Sequence, residues 1–161
     1  MQHPRHHPTL RRRAGFTLIE VLVAAGMLAI MASATLWALI KMNEMAANAR
    51  NMTGASTAVQ NQIDLILSDG PFNPQKTNPD GTVQIPPELR LGTQTTNNVP
   101  VYREPQNGTI VPGTMTTTVT DVSFIYGTFQ IWTYRATVTC TWTYRNKNYS
   151  YTMSTMRTSD I

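Results

Sequence analysis

The first third of the chain is a long apolar segment that contains one charge. Residues 16–40 are mostly hydrophobic or small, and Glu20 is their only charged residue. As an α-helix this segment would extend about 37 Å, which is enough to cross a bilayer. The pattern therefore predicts a membrane-spanning helix over residues 16–40. Because a carboxylate is costly in hydrocarbon, Glu20 is a candidate functional residue.

The helix is predicted to continue over residues 41–68 with an amphipathic pattern. Apolar or small side chains recur there at alternating spacings of three and four, which places them on one helix face. Gly54 interrupts this stretch and weakens the helix by about 1 kcal/mol relative to alanine. The breakers Ser68 to Pro71 end it. We expect the stripe to pack beneath a sheet, and its members are Met42, Met45, Ala49, Met52, Ser56, Val59, Ile63 and Ile66.

Residues 69–118 are rich in proline, glycine, asparagine and threonine. This composition predicts a variable, irregular loop region with one or two short strands, such as Val99 to Arg103. Asp80 and Glu88 are oxygen ligands of the type that calcium prefers, but no EF-hand spacing surrounds them. The sequence therefore predicts no metal site.

The last segment, residues 119–161, alternates between apolar and polar side chains. From Trp132 to Tyr144 the even positions are apolar and the odd positions are threonine or arginine, a period of two that predicts a half-buried strand. Residues 145–148 read as a hairpin turn, and residues 149–156 as the returning strand. An earlier strand is predicted over residues 119–126. The expected structure is an antiparallel sheet whose even face, including its aromatic side chains, packs on the helix stripe.

Charge is concentrated before the apolar segment. The net charge is +4, yet Arg5, Arg11, Arg12 and Arg13 precede residue 16, and without them nine basic residues balance nine acidic ones. The remainder of the chain therefore has no electrostatic signature of nucleic-acid binding, and no nucleic-acid partner is expected. A basic flank before an apolar segment is typical of a segment whose N-terminal side stays in the cytoplasm.

Candidate catalytic chemistry is absent from the sequence. Cys140 is the only cysteine, and the histidines, His3, His6 and His7, all lie at the extreme N-terminus, away from any folded domain. A lone thiol without a histidine base does not form a nucleophilic site, and a free cysteine is usually a buried apolar side chain. We therefore predict neither an enzyme nor a bound cofactor.

The apolar segment has several possible roles. Ala32-Ser33-Ala34 fits a signal-peptidase site, which would release a secreted protein after Ala34, but Glu20 and the apolar continuation to Ile40 count against it. A plain membrane anchor accounts for the length of the segment but not for Glu20.

The stretch GFTLIEVLVA, residues 15–24, resembles the N-terminal motif of type IV prepilins and of the pseudopilins of type II secretion. The resemblance implies that a prepilin peptidase removes residues 1–15 as a basic leader by cutting after Gly15. Phe16 would then be the N-methylated terminus, and Arg11, Arg12 and Arg13 would hold the leader in the cytoplasm. The resemblance further implies that Glu20 pairs with the amine of a neighbouring subunit. Such an amine needs an anion in lipid.

The resemblance also implies a fold and partners. We expect an α+β, pilin-like protein: a long N-terminal helix, half of it embedded in membrane lipid, packed against a small antiparallel sheet. Its partners would be other pilin or pseudopilin subunits and an inner-membrane assembly platform, with the C-terminal domain in the periplasm. The C-terminal hairpin is similar to PilV-like minor pilins and the small minor pseudopilin. Alternatives are a membrane-anchored periplasmic binding module and a DNA-uptake minor pilin.

Overall fold

The computed structural model describes residues 15–103 and 108–160. The chain divides into two compact units, Met1–Glu44 and Met45–Ile161, which are described separately. One α-helix, α1 (Leu18–Ser68), belongs to both units. The strands are β1 (Asn73–Thr77), β2 (Val83–Gln84), β3 (Gly92–Arg103), β4 (Ile110–Asp121), β5 (Phe124–Tyr126), β6 (Phe129–Ile131), β7 (Thr133–Tyr144) and β8 (Lys147–Thr158), with a short 3-10 helix at Pro87–Leu89. A long helix with antiparallel sheets confirms the predicted α+β, pilin-like fold class.

In the first unit, the helix presents its apolar side chains outward. All residues from Gly15 to Asn43 are exposed, and the most apolar window of α1 has a mean hydropathy of 2.0 with none of it buried. Two of its hydroxyl side chains bond within the helix, since Ser33 Oγ donates to Ala29 O (2.8 Å) and Thr35 Oγ1 donates to Met31 O (3.0 Å). An apolar helix whose hydroxyls bond to its own backbone is suited to hydrocarbon, and Glu20 is the exception in this segment.

In the second unit, four antiparallel strands form the main sheet in the order β3-β4-β7-β8. The β7–β8 hairpin confirms the predicted one. Arg145 and Asn146 form its two-residue turn with φ of 48° and 60°, the positive values that a type I′ turn requires. Along β7 the even residues are buried from Tyr134 to Trp142, as the alternation predicts. Two-stranded pairs, β1 with β2 and β5 with β6, lie outside this sheet.

The helix packs on the sheet through a face that differs in part from the predicted stripe. Val59, Ile63 and Ile66 are buried as predicted, but Met52 and Met45 are exposed, and Asn51 and Ala55 are buried instead. The predicted spacing averages about 3.5 residues, and such a stripe drifts around a helix of 3.6 residues per turn. The buried positions, at spacings of four, four, four and three, drift in the opposite direction, so the two lines coincide at Val59, Ile63 and Ile66 and diverge towards the N-terminal side.

Gly54 lies where α1 and β3 come into close contact, and it is not simply a position that weakens the helix. A Cβ added at Gly54 would lie 1.7 Å from Val101 O, and one at Gly113 would lie 2.6 Å from Val101 Cγ2. Val101 of β3 therefore lies close to a glycine of α1 and to a glycine of β4. The absence of a side chain at Gly54 lets the β3 backbone approach the helix closely.

The prediction of an irregular region over residues 69–118 was wrong for its second half. β3 and β4 are 12-residue strands that pair along most of their length, and the predicted strand at Val99 to Arg103 is the end of β3. Pro100 and Pro112 face each other in this pair. They are tolerated because β3 is an edge strand and because Pro112 precedes the residues of β4 that pair with β7.

The strand predicted over residues 119–126 was also wrong in its extent. β4 ends at Asp121, whose Oδ1 accepts a hydrogen bond from Ser123 N (2.8 Å), and this local turn redirects the chain. β5 and β6 then form a separate hairpin. Its large side chains are exposed rather than part of the core: Phe124, Ile125, Tyr126 and Phe129.

The C-terminal end of α1 is held by a buried arginine from β8. Arg157 Nη1 donates to Ile66 O (2.9 Å) and Asp69 O (2.8 Å), and Nη2 donates to Gly70 O (2.7 Å). The last carbonyls of a helix have no partner within the helix, so the guanidinium satisfies them from outside. Asp160 Oδ2 accepts from Arg157 Nη2 (3.0 Å) and from Phe72 N (2.9 Å). We call these residues, Ile66, Asp69, Gly70, Phe72, Arg157 and Asp160, the helix-end clamp.

The clamp makes stability sensitive to acid. The hydrogen bond from Phe72 N, and then those from Arg157, hold the pKa of Asp160 below its ordinary value of 3.8. The folded state therefore binds fewer protons than the unfolded state just below pH 3.8, so the stabilisation is full above that pH and is lost as pH falls through the lowered pKa. Asp160→Asn should reduce the loss of stability between pH 5 and pH 2, measured by chemical unfolding at each pH. Asp64→Asn, a change at an exposed helix carboxylate, should leave that profile as it is in the parent chain.

Candidate functional site: the N-terminal segment

A threonine cap starts α1 just after the predicted cleavage point. Glu20 N donates to Thr17 Oγ1 (3.3 Å) and to Thr17 O (3.1 Å), and the helix begins at Leu18. Threonine at the N-cap with glutamate three residues later has the spacing of a capping box. Of the two hydrogen bonds of such a box, the one that the threonine side chain accepts is formed here. Thr17 is not among the residues predicted to be functional, although the Thr-x-x-Glu spacing signals this role.

The predicted cleavage residues, Gly15 and Phe16, lie outside the helix and are exposed. Gly15 and Phe16 precede α1, nothing lies within 4 Å of a Cβ added at Gly15, and Phe16 is 83% exposed. Exposed residues outside a helix are accessible to a peptidase. Arg11, Arg12 and Arg13 of the predicted leader lie outside the described residues.

Glu20 lies in the first turn of α1, four residues from Phe16. Negative charge is favoured at this end of a helix because the unpaired N–H groups give it positive polarity. Glu20 is exposed, and the shallow groove beside it is lined by Thr17 and by the apolar residues Ile19, Val23, Ala24 and Met27. The next charged residue along the helix is Lys41, which is paired with Glu44 at 2.9 Å. Within the described residues, α1 therefore offers Glu20 no basic side chain before Lys41.

The other candidate functional residues of the second unit have structural roles. Cys140 is buried, and burial raises the pKa of its thiol, which disfavours the nucleophilic thiolate. Tyr134 and Trp142 are each 4% exposed, so the aromatic face of β7 is core and not a stacking platform. Asp80 accepts hydrogen bonds from the hydroxyl (2.6 Å) and the backbone N–H (3.0 Å) of Thr82, which lower its pKa. Among residues 15–103 and 108–160, no three His, Cys, Asp or Glu side chains are grouped to hold a metal ion.

Comparison with known families supports the interpretation of the N-terminal segment. The family model described as the prokaryotic N-terminal methylation motif matches residues 10–36. The match includes Gly15, Phe16, Thr17 and Glu20 and the first part of the apolar helix. No curated protein and no solved structure matches the chain.

The motif and the fold together define a class of protein. A methylation motif, one apolar N-terminal helix and an α+β domain are the features of a type IV pilin-like or pseudopilin-like protein. Such a motif points to a structural subunit rather than an enzyme. It implies processing by a prepilin peptidase and assembly with other pilins, and the helix fits a single-pass membrane anchor.

Proposed function

We propose that this chain is a minor pilin or pseudopilin, a filament subunit that starts in the inner membrane with its C-terminal domain in the periplasm. Cleavage after Gly15 would release the leader, and Phe16 would become the methylated N-terminus. The subunit would then enter a type IV pilus or a type II secretion pseudopilus, in initiation or at the tip. The observation that carries the proposal is the methylation motif, which continues directly into an apolar helix with exposed side chains.

The exposed helix supports an assembly role in physical terms. Every large apolar side chain from Phe16 to Ile40 is more than half exposed, so the helix needs lipid or other helices around it. Moving from lipid into a filament core would replace lipid contacts with helix contacts. Glu20, the one charge in that surface, would meet the amine at Phe16 of a neighbouring subunit and thereby fix the register of the two helices.

The N-terminus of the mature chain tests the proposed processing. The full chain is expressed with and without a prepilin peptidase, and its N-terminal peptide is read by mass spectrometry. We expect a methylated Phe16 only with the peptidase, and Gly15→Ala should slow or block the cut because even one methyl group adds bulk at the residue before the cut. A chain that begins at Thr35 would instead identify a signal-peptidase product and would contradict the proposal.

Glu20 is tested after processing has been established. Glu20→Ala and Glu20→Gln should both be cleaved normally but should enter filaments poorly, because neither can neutralise a neighbouring amine. Sheared filaments are quantified by immunoblot against the membrane-bound pool. Glu44→Ala, which removes a carboxylate farther along the same helix, is the control and should assemble normally. Normal assembly of both Glu20 variants would remove the proposed pairing.

A further inference from the structure

The second unit contains a small cavity between α1 and the strands β3, β4 and β7. Its volume is about 170 Å³. A single water molecule needs only about 10–15 Å³ of such space, so the cavity has room for a group several atoms larger than water. Its lining includes Ala47, Arg50, Asn51, Tyr102, Val111 and Tyr144.

One residue of this lining carries a buried donor without a partner. Asn51 is 2% exposed, and within the part of the chain that the structure describes its amide Nδ2 forms no hydrogen bond. Buried donors in folded proteins are almost always paired, because an unpaired one gives up its hydrogen bonds to water and gains nothing in return. Since Asn51 lines the cavity, an acceptor bound there would supply the missing partner.

The cavity is also positively charged. Among the described residues that line it, Arg50 is the only charged one. Its guanidinium makes no hydrogen bond or ion pair with another described residue. A guanidinium presents its donors as a planar fork that matches the two oxygens of a carboxylate. Tyr102 and Tyr144 add two phenol hydroxyls, which can also donate to an anion.

We propose that this cavity binds a carboxylate carried on a short aliphatic stem. Arg50 and the amide of Asn51 donate to the carboxylate oxygens, and Ala47 and Val111 contact the stem. One guanidinium balances the single charge of a carboxylate but not the larger charge of a phosphate. Two sources carry this chemistry, an Asp or Glu side chain of another polypeptide and a free small carboxylic acid. The inference rests on the second unit alone and does not depend on the proposed function.

Acetate is the probe, titrated at constant ionic strength into the full chain in detergent. Binding is followed by NMR of the asparagine side-chain amides, and the Asn51 signal is identified by its loss in Asn51→Leu. We expect a saturable shift of that signal with acetate and none with acetamide, which has a similar shape without the charge. Arg50→Gln should weaken acetate binding at least about tenfold. Arg135→Gln, which removes an exposed arginine of β7, should bind acetate like the parent chain.

The opposite results are equally specific. A cavity that holds only water would give no saturable shift with acetate, and this would overturn the proposal. Equal acetate affinity in the Arg50→Gln and Arg135→Gln variants would overturn it as well, since the shift would then not report the guanidinium at the cavity.

The source of the carboxylate is decided by photo-cross-linking in cells. A photoreactive benzoylphenylalanine replaces Thr109, an exposed residue that also lines the cavity. An adduct with another polypeptide that is lost in the Arg50→Gln background assigns the carboxylate to an acidic residue of that polypeptide. If no such adduct forms while acetate binds, the carboxylate belongs to a free small acid.

Discussion

Arg157→Ala is expected to destabilise the second unit by about 3 kcal/mol or more, because it removes a buried charged donor from three backbone carbonyls at once. Those carbonyls belong to Ile66, Asp69 and Gly70. Ile66 is fully buried, so water cannot readily replace the lost donor at that carbonyl. The Asp160 carboxylate would also lose its ionic partner. We therefore expect the end of α1 to separate from β8.

The effect is measured by chemical unfolding of the full chain in detergent, followed by tryptophan fluorescence. Arg157→Lys keeps the charge but cannot reach several carbonyls with one planar fork, so it should fall between the parent chain and Arg157→Ala. Arg135→Ala is the matched control, since Arg135 is an exposed arginine on the adjacent strand. Its removal should change the free energy of unfolding by no more than about 0.5 kcal/mol. An equal loss in both alanine variants would show that the clamp is not specific.

The helix-end clamp could not be predicted from the sequence, because its residues are distant in the chain. Arg157 and Ile66 are 91 residues apart in the chain, and nothing in the local sequence of β8 marks this arginine as buried. The alternation along β7 was predictable because its two faces differ in residue type. Most of β3 and β4 was missed because threonine lies on both faces of β4, as at the buried Thr117 and the half-buried Thr116, and because prolines suggested loops.

The N-terminal segment, by contrast, could be recognised from its local sequence alone. Its information lies in consecutive residues, Gly15 to Ala24, and the match to the methylation motif covers that same stretch. The proposed cleavage, the threonine cap and the first helical turn all depend on neighbours in sequence, so the segment needs no tertiary context to be recognised. Thr17 was not predicted as a cap although it lies within the same stretch, because its role comes from the unpaired N–H groups that begin a helix and not from charge.

Gly54→Ala is expected to destabilise the second unit by about 1–3 kcal/mol, against the usual gain from replacing a helical glycine. Helix propensity alone favours alanine by about 1 kcal/mol. The new Cβ would lie 1.7 Å from Val101 O and 2.9 Å from Val101 C, and these backbone atoms cannot rotate away as a flexible side chain could. Helix and strand must therefore separate, which disturbs the contact between Val101 and Gly113 as well.

The sign of the change decides between the two interpretations of Gly54, since a weak point in the helix predicts stabilisation and a close contact predicts destabilisation. The free energy of unfolding is measured in the same detergent assay. Thr53→Ala, the neighbouring change on the exposed side of the helix, should alter it by no more than about 0.5 kcal/mol. A Gly54→Ala chain more stable than its parent would contradict the close approach of β3. A destabilised one would mean that the distance between α1 and the sheet is set by a residue with no side chain.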